Sequence, residues 1–280
     1  MADAERIVAG PGFGQARGYD GVVMKESLRT RVLDAEVDCV DMPGALELVD
    51  SQIRYGEEPG TVLAVNPEKI YALRRNLFLR DFFSKAKILI PDGIGVVMAL
   101  RLKGLRAERV PGADLMQEIC ALAERRGFRI FIYGAKEDVN RGAVDRLRER
   151  HPAIRIVGRA NGFVTEEQMD ALVEEINASK AQVLFVALGS PRQEEWMFKY
   201  LHRLETVRVC QGIGGTLDTI VGTVKRAPPF MQRCNLEWVY RLIQQPSRAG
   251  RQLRLLQFVF DVAIDSVRHS WVASRESKHR

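Results

Sequence analysis

Four short stretches of the chain place polar or glycine residues directly after apolar, β-branched runs, and each could do chemistry. In PDGIG (91–95), Asp92 is followed by two glycines that let a substrate approach closely. A carboxylate in that setting can take the proton of an attacking hydroxyl, although Asp-Gly is also an ordinary tight turn. In NPEKI (66–70), Asn66 offers a side-chain amide, and Pro67 starts a helix whose first N–H groups point back toward a crevice. The same asparagine reads equally as a helix cap. GSPRQEEW (189–196) supplies Gln193 as an uncharged partner for hydroxyls near a helix start, with Arg192 and Glu194 explained by capping and solvation. GIGGTLD (212–218) is a glycine-rich turn whose backbone amides can meet a phosphate.

Several other chemistries are missing from the pattern. There is no GxGxxG fingerprint between a strand and a helix, no phosphate-binding GxxxxGK[ST], no GxSxG elbow and no HExxH. His151, His202, His269 and His279 are too dispersed for a catalytic or metal cluster and read as surface residues. The cysteines Cys39, Cys120, Cys210 and Cys234 form no metal-ligand or disulfide spacing, which fits a reducing compartment. No Asp-x-Asp pair occurs, so the usual carboxylates for holding a divalent ion on a sugar diphosphate are missing. The expectation is no metal and no cofactor, with arginines neutralising any bound phosphates.

The elements that must position these loops follow from periodicity. The runs TVLAV (61–65), KILI (87–90), RIFIY (129–133), IRIV (154–157), QVLFVAL (182–188) and VRVCQ (207–211) alternate with amphipathic stretches. That alternation predicts an α/β, Rossmann-like fold with a mostly parallel sheet and flanking helices. Helices are expected from Pro111 to Arg126 and, behind a Thr165–Gln168 capping box, through Leu172 and Ile176. EVDCVDM (36–42) reads as an added edge strand, and residues 1–25, rich in glycine, as a loose arm before a core over 26–222. The rhythm changes after Gly222. Asn235 can cap a helix ended by Pro246, and a second helix is expected from about Ser247 to Trp271. Its polar stripe would carry Arg254, Asp261, Asp265 and Arg268, with Leu255, Phe258, Val259, Val262 and Ile264 around the rest.

Charge separates these parts. From Lys225 to Arg280 the chain holds 11 Lys or Arg against 4 Asp or Glu, net +7, whereas the remainder holds 31 against 32. Charge alone leaves anionic lipid, nucleic acid and phosphorylated substrates open as partners of such a segment, and residues 223–280, basic and amphipathic, are expected to be a helical appendage that docks on an anionic membrane surface. With no apolar stretch of the ~20 residues a span requires, membrane contact is expected to be peripheral. The tail has no recognisable RNA module, and its aromatics Trp238, Tyr240, Phe258 and Trp271 suit an interfacial helix, so no nucleic-acid partner is expected.

Taken in order, NPEKI, PDGIGVVMA, RVPGADL, YGAK, HPAIRIVGRANGF, VALGSPRQEEW, GIGGTLDTIVG, KRAPPFMQRCNLEWVYRL and QQPSR closely resemble the WecG/TagA/CpsF glycosyltransferases, glycosyltransferase family 26. The resemblance implies an inverting, metal-independent transfer of a sugar from a UDP-sugar to an undecaprenyl-diphosphate-linked sugar. The sugar would be N-acetylmannosamine or its uronic acid, and the setting cell-surface polysaccharide synthesis at the cytoplasmic face of the inner membrane. Two alternatives are the same chemistry with UDP-glucose or another hexose in exopolysaccharide assembly, and a noncatalytic nucleotide-sugar sensor. A homo-oligomer is compatible with either. By resemblance Asp92 is the catalytic base, and Asn66, Arg109 and Gln193 bind substrate. Asp218 lies near the nucleotide, and Arg241, Arg248 and Arg251 reach over the active site to the diphosphate. The sequence departs from the family where a Thr-x-Asn motif is common: here Ala64 precedes Val65 and Asn66, which removes one hydrogen bond to substrate.

Overall fold

The computed structural model describes residues 13–15, 25–224, 227–228, 230–231, 239–240 and 257–265. Six strands form its central sheet: β5 (Gly60–Val65), β6 (Ile88–Pro91), β7 (Arg129–Gly134), β8 (Arg155–Ala160), β9 (Val183–Ala187) and β10 (Val209–Gly212). They are ordered β6-β5-β10-β9-β7-β8, and every neighbouring pair is parallel. This is the expected Rossmann-like α/β sheet. Its strands read as continuous apolar runs because both faces are covered.

Side-chain alternation along each strand divides the core in two. Leu63, Val65, Phe131, Tyr133, Leu184 and Val186 face one layer, which contains helices α2 (Pro67–Arg75), α3 (Leu77–Ser84), α4 (Ile94–Leu102), α7 (Met169–Ala178) and α8 (Arg192–Tyr200). Val62, Ile130, Ile132, Val183 and Phe185 face the other, with α1 (Met42–Tyr55), α5 (Gly112–Arg126), α6 (Glu137–Arg150) and α9 (Thr216–Val221). Thus α2 leaves β5 over one face while α9 leaves β10 over the opposite face. Adjacent strands whose connections diverge in this way open a crevice at their carboxyl ends.

Local signals set the helix starts. The Asp41 carboxylate accepts from the Gly44 N–H at 2.8 Å, and Asn76 ends α2 while capping α3 through the Leu79 N–H at 3.1 Å. The Thr165–Gln168 capping box forms, and it opens a 3₁₀ turn, Glu166–Gln168, that runs into α7. Gly127, at φ 72°, closes α5 in the left-handed conformation.

Three expectations change. EVDCVDM does contain a strand, β4 (Ala35–Asp38), but it pairs antiparallel with β3 (Arg29–Val32) in a separate hairpin instead of joining the edge of the main sheet. The buried Asp38 carboxylate ties that hairpin to the sheet by accepting from the Leu89 N–H at 2.7 Å, and Arg29 of the hairpin braces the carboxylate with donations at 2.7 and 3.0 Å. Within the stretch read as a loose arm, β1 (Phe13–Gln15) pairs with β2 (Lys25–Ser27).

The third change concerns the C-terminal helix. Residues 257–265 are helical, and Phe258 and Val262, one turn apart, are buried in the core. Phe258 is therefore a packing residue and not an interfacial aromatic. Its ring meets Tyr71 edge-on, with centroids 6.5 Å apart. Part of the polar stripe also faces inward: Asp261 accepts from the Tyr71 hydroxyl and from Arg74, both at 2.9 Å, and Asp265 lies 3.7 Å from Lys103. Burial, followed by Asp261, pushes the Tyr71 phenol up to about 12. The outward positions Val259, Phe260 and Ile264 are exposed.

Candidate active site

The crevice is built from loops at the carboxyl ends of β5, β6 and β10. Asn66 follows β5 and caps α2, its side-chain oxygen accepting from the Lys69 N–H at 2.9 Å. This leaves the amide nitrogen of its side chain for other partners. The next turn packs directly against it: an added Cβ at Gly93 would lie 3.1 Å from Pro67 Cδ and 3.4 Å from Asn66 Cβ. Asp92 stands at that turn, its backbone N–H donating to the Val65 and Ile90 carbonyls at 3.0 Å each. The carboxylate thus projects from a fixed backbone, with about a quarter of its side chain exposed.

Arg109 reaches the same carboxylate, with Nη2 at 3.8 Å from Asp92 Oδ1. The contact is local in space because the Val110 N–H donates to the Pro91 carbonyl at 3.0 Å, drawing the 103–111 loop against the end of β6. A cation within 4 Å favours the ionised, proton-accepting form of a carboxylate. Gly112, which begins α5, completes this wall: an added Cβ would lie 3.8 Å from Asp92 Oδ2 and 3.8 Å from Ala64 Cβ. Ala64 thus lines the same wall.

Gln193 occupies the β9–β10 side. It is buried at the start of α8, and its side-chain oxygen accepts from the Gly214 N–H at 3.1 Å. An added Cβ at Gly212 would come within 2.5 Å of its Nε2, so the glycine-rich turn and Gln193 are built against each other. Asp218 sits in the first turn of α9, and the Thr223 hydroxyl approaches its Oδ1 at 3.4 Å. The structure therefore brings Asn66, Asp92 and Arg109 to one wall and packs Gln193 against the glycine-rich turn after β10, with Asp218 in the first turn of the helix that follows. Arg241, Arg248 and Arg251 lie outside the described residues.

Two features escaped the sequence reading. Arg192 is exposed as expected, but Glu194 is 1% exposed and is not a solvated residue. Its Oε1 accepts from Lys69 Nζ at 2.7 Å, and the same ammonium donates to the Ser190 hydroxyl at 2.7 Å. This buried ion pair clamps the loop after β9 to α2, and its partners lie 125 residues apart. The second feature is Gln211, which is 1% exposed at the end of β10, where its side-chain amide donates to the Gly112 carbonyl at 2.9 Å. The available signal was a polar residue ending an apolar strand immediately before a glycine turn. His151 also differs from the surface reading, being half-buried with Nδ1 3.0 Å from Glu124 Oε2.

An open sheet wound on both faces, with polar loops converging on the crevice at its carboxyl ends, defines a Rossmann-like protein with a ligand site there. The fold alone does not choose the chemistry. The glycosyl transferase WecG/TagA/CpsF family matches residues 30–271, most of the chain, and the protein belongs to that family. It is a transferase of glycosyltransferase family 26, whose members take a nucleotide-sugar donor and a lipid-linked acceptor in cell-surface polysaccharide synthesis.

Proposed function

We propose that the protein is an inverting, metal-independent glycosyltransferase that moves a sugar from a UDP-sugar to an undecaprenyl-diphosphate-linked sugar. The observation that carries this reading is Asp92, held just past the tip of β6 beside Arg109. In the reaction an acceptor hydroxyl attacks the anomeric carbon from the face opposite the nucleotide. The new C–O bond forms as the bond to the β-phosphate oxygen breaks. The hydroxyl proton passes to Asp92, and the electron pair leaves with UDP. Asn66 and Gln193 orient the sugar, the Gly212–Gly215 turn and Asp218 face the nucleotide, and Arg109 with Arg241, Arg248 and Arg251 neutralises the diphosphate.

The transferred sugar is proposed to be of the N-acetylmannosamine type or its uronic acid. Ala64, which leaves one wall of the site without a threonine hydroxyl, favours keeping a second reading in the assay, a UDP-hexose donor such as UDP-glucose. Residues 223–280 are proposed to be a docking and site-completing appendage on the cytoplasmic face of the inner membrane. The exposed Val259, Phe260 and Ile264 support this, as does the net +7 of residues 225–280. Among the described residues no helix is long and apolar enough to cross a membrane.

The test is transfer from a panel of UDP-sugars to a lipid-diphosphate sugar acceptor in EDTA, with Asp92→Asn as the control. Loss of transfer by about 10² to 10⁴-fold in the variant, with UDP binding retained, is the expected result for removal of a general base. Wild-type turnover by a folded Asp92→Asn protein excludes Asp92 as the base. Turnover that collapses in EDTA and returns with magnesium or manganese overturns the metal-independent route.

A further inference from the structure

We propose that Gln211 is a positioning residue that holds the start of α5, and through it Arg109, in register with the Asp92 carboxylate. The inference rests on the reading of Asp92 as the base. Gln211 is the penultimate residue of β10, where parallel neighbours on both sides fix its backbone. From that anchor its side-chain amide donates to the Gly112 carbonyl at 2.9 Å. Gly112 opens α5 behind Pro111, so this bond ties the first carbonyl of the helix to β10. On the other side of Pro111, the Val110 N–H is hooked to Pro91, the residue before Asp92. The two bonds bracket the turn that carries Arg109 to within 3.8 Å of Asp92. An added Cβ at Gly112 would lie 3.8 Å from Asp92 Oδ2 and 3.9 Å from Gln211 Nε2, so the carboxylate and the amide flank one backbone position.

A purely structural role explains only half of this side chain. Gln211 Oε1 is buried and has no hydrogen-bond partner. A buried acceptor left unpaired costs at least as much as the one bond the amide makes contributes. For stability alone an apolar side chain of similar length would serve as well. The polar group is therefore assigned to placement of the Arg109–Asp92 pair, where a small displacement matters to a reaction that depends on alignment.

The experiment replaces Gln211 with methionine, which keeps length and volume, in the full chain. The thermal midpoint should stay within about 3 °C of wild type, the shift equivalent to about 1 kcal/mol in a protein of this size. Turnover should fall about tenfold with the donor KM changed less than about twofold, a split expected when alignment is lost but binding is kept. With Arg109 drawn away, the acid limb of the pH–rate profile should move upward, because a cation within 4 Å favours the ionised carboxylate. Carbon-13 NMR of the Asp92 carboxyl, assigned by its disappearance in Asp92→Asn, should show the same upward shift. Arg109→Ala should produce that shift alone, and adding Gln211→Met to it should move the titration no further.

An Asp92 titration unchanged in a folded Gln211→Met protein overturns the proposal, as does a turnover loss that merely follows loss of folded protein. If methionine prevents folding, Gln211→Asn, which shortens the reach by one methylene, serves for the same measurements. The NMR arm does not depend on turnover. A wild-type enzyme that transfers no sugar would remove the glycosyl-transfer reading while leaving the positioning claim to be decided by the titration.

Discussion

Replacing Gly95 with alanine would show whether the 257–265 helix is part of the catalytic body. Gly95 lies in the first turn of α4, three residues after Asp92, and an added Cβ would meet Phe258 Cε1 at 3.1 Å, Phe258 Cδ1 at 3.2 Å and Pro67 Cγ at 3.3 Å. Alanine should gain roughly 0.5–1 kcal/mol over glycine from helix propensity. Overpacking against a buried ring costs about 1–3 kcal/mol, so the net effect lies between about zero and a loss of about 2.5 kcal/mol. Phe258→Leu should also cost about 1–2 kcal/mol, through a smaller side chain and a lost edge-on contact with Tyr71. Together the changes should partly cancel, because the alanine methyl enters the space the ring vacates. The double variant is expected to be at least about 1 kcal/mol more stable than the sum of the singles, measured by urea unfolding of the full chain. Turnover should follow the same pattern, low in Gly95→Ala and partly restored in the double variant. Additivity within about 0.5 kcal/mol would refute the contact and detach the helix from the Asp92 loop.

The Lys69–Glu194 pair should behave as a clamp: Lys69→Met or Glu194→Gln alone should cost about 3–5 kcal/mol, because each leaves its partner buried without compensation, and the double variant should cost less than either. Equal and additive losses in chemical unfolding would show that the two side chains act independently. Changing Val259, Phe260 and Ile264 together to serine should leave the thermal midpoint nearly unchanged, since all three are more than half exposed. It should weaken binding to anionic vesicles by about a hundredfold, taking roughly 1 kcal/mol of apolar burial for each half-buried side chain. Vesicle binding equal to wild type would move the docking surface elsewhere.

The sheet was legible because its strands are buried on both faces, so each reads as an apolar run bounded by polar turns, and TVLAV, RIFIY and VLFVA fall where expected. The loops that follow them were legible for the same reason, since ligand sites in such sheets gather where strands end. What the sequence hides is long-range pairing. Glu194 looks like any acidic residue in a helix's first turn until Lys69 arrives from another strand's loop. The 36–42 segment has the composition of a strand, but the choice between the main sheet and a hairpin depends on Asp38 meeting the Leu89 N–H and Arg29. Phe258 and Val262 have the spacing of a membrane face, yet their one-turn separation serves equally to enter the groove beside Tyr71. Only the outward residues of that helix remain for a surface.

The unpartnered polar atoms are unevenly placed. Among the described residues, four buried side-chain atoms lack a hydrogen-bond partner: Asp50 Oδ1, Asn140 Oδ1, Glu194 Oε2 and Gln211 Oε1. The last three lie at the carboxyl ends of strands. Asn140 uses its amide to hold the Gly134 and Ala160 carbonyls at 2.8 and 3.0 Å, Glu194 follows β9, and Gln211 is the penultimate residue of β10. At about 1–3 kcal/mol for each, three such atoms weigh heavily against the roughly 5–15 kcal/mol net stability of a typical domain. Nothing comparable burdens the sheet's interior, where the strand side chains pack as two apolar layers. A chain selected for stability alone would place apolar residues at these positions. For Glu194 and Gln211, on the loops after β9 and β10, keeping rigid, underused polar groups is the arrangement that preorganised sites need, because such groups are already oriented when charge and hydroxyls arrive. The stability forgone at the strand tips is thus the physical counterpart of the proposed catalysis, and the two apolar layers behind them are what make it tolerable.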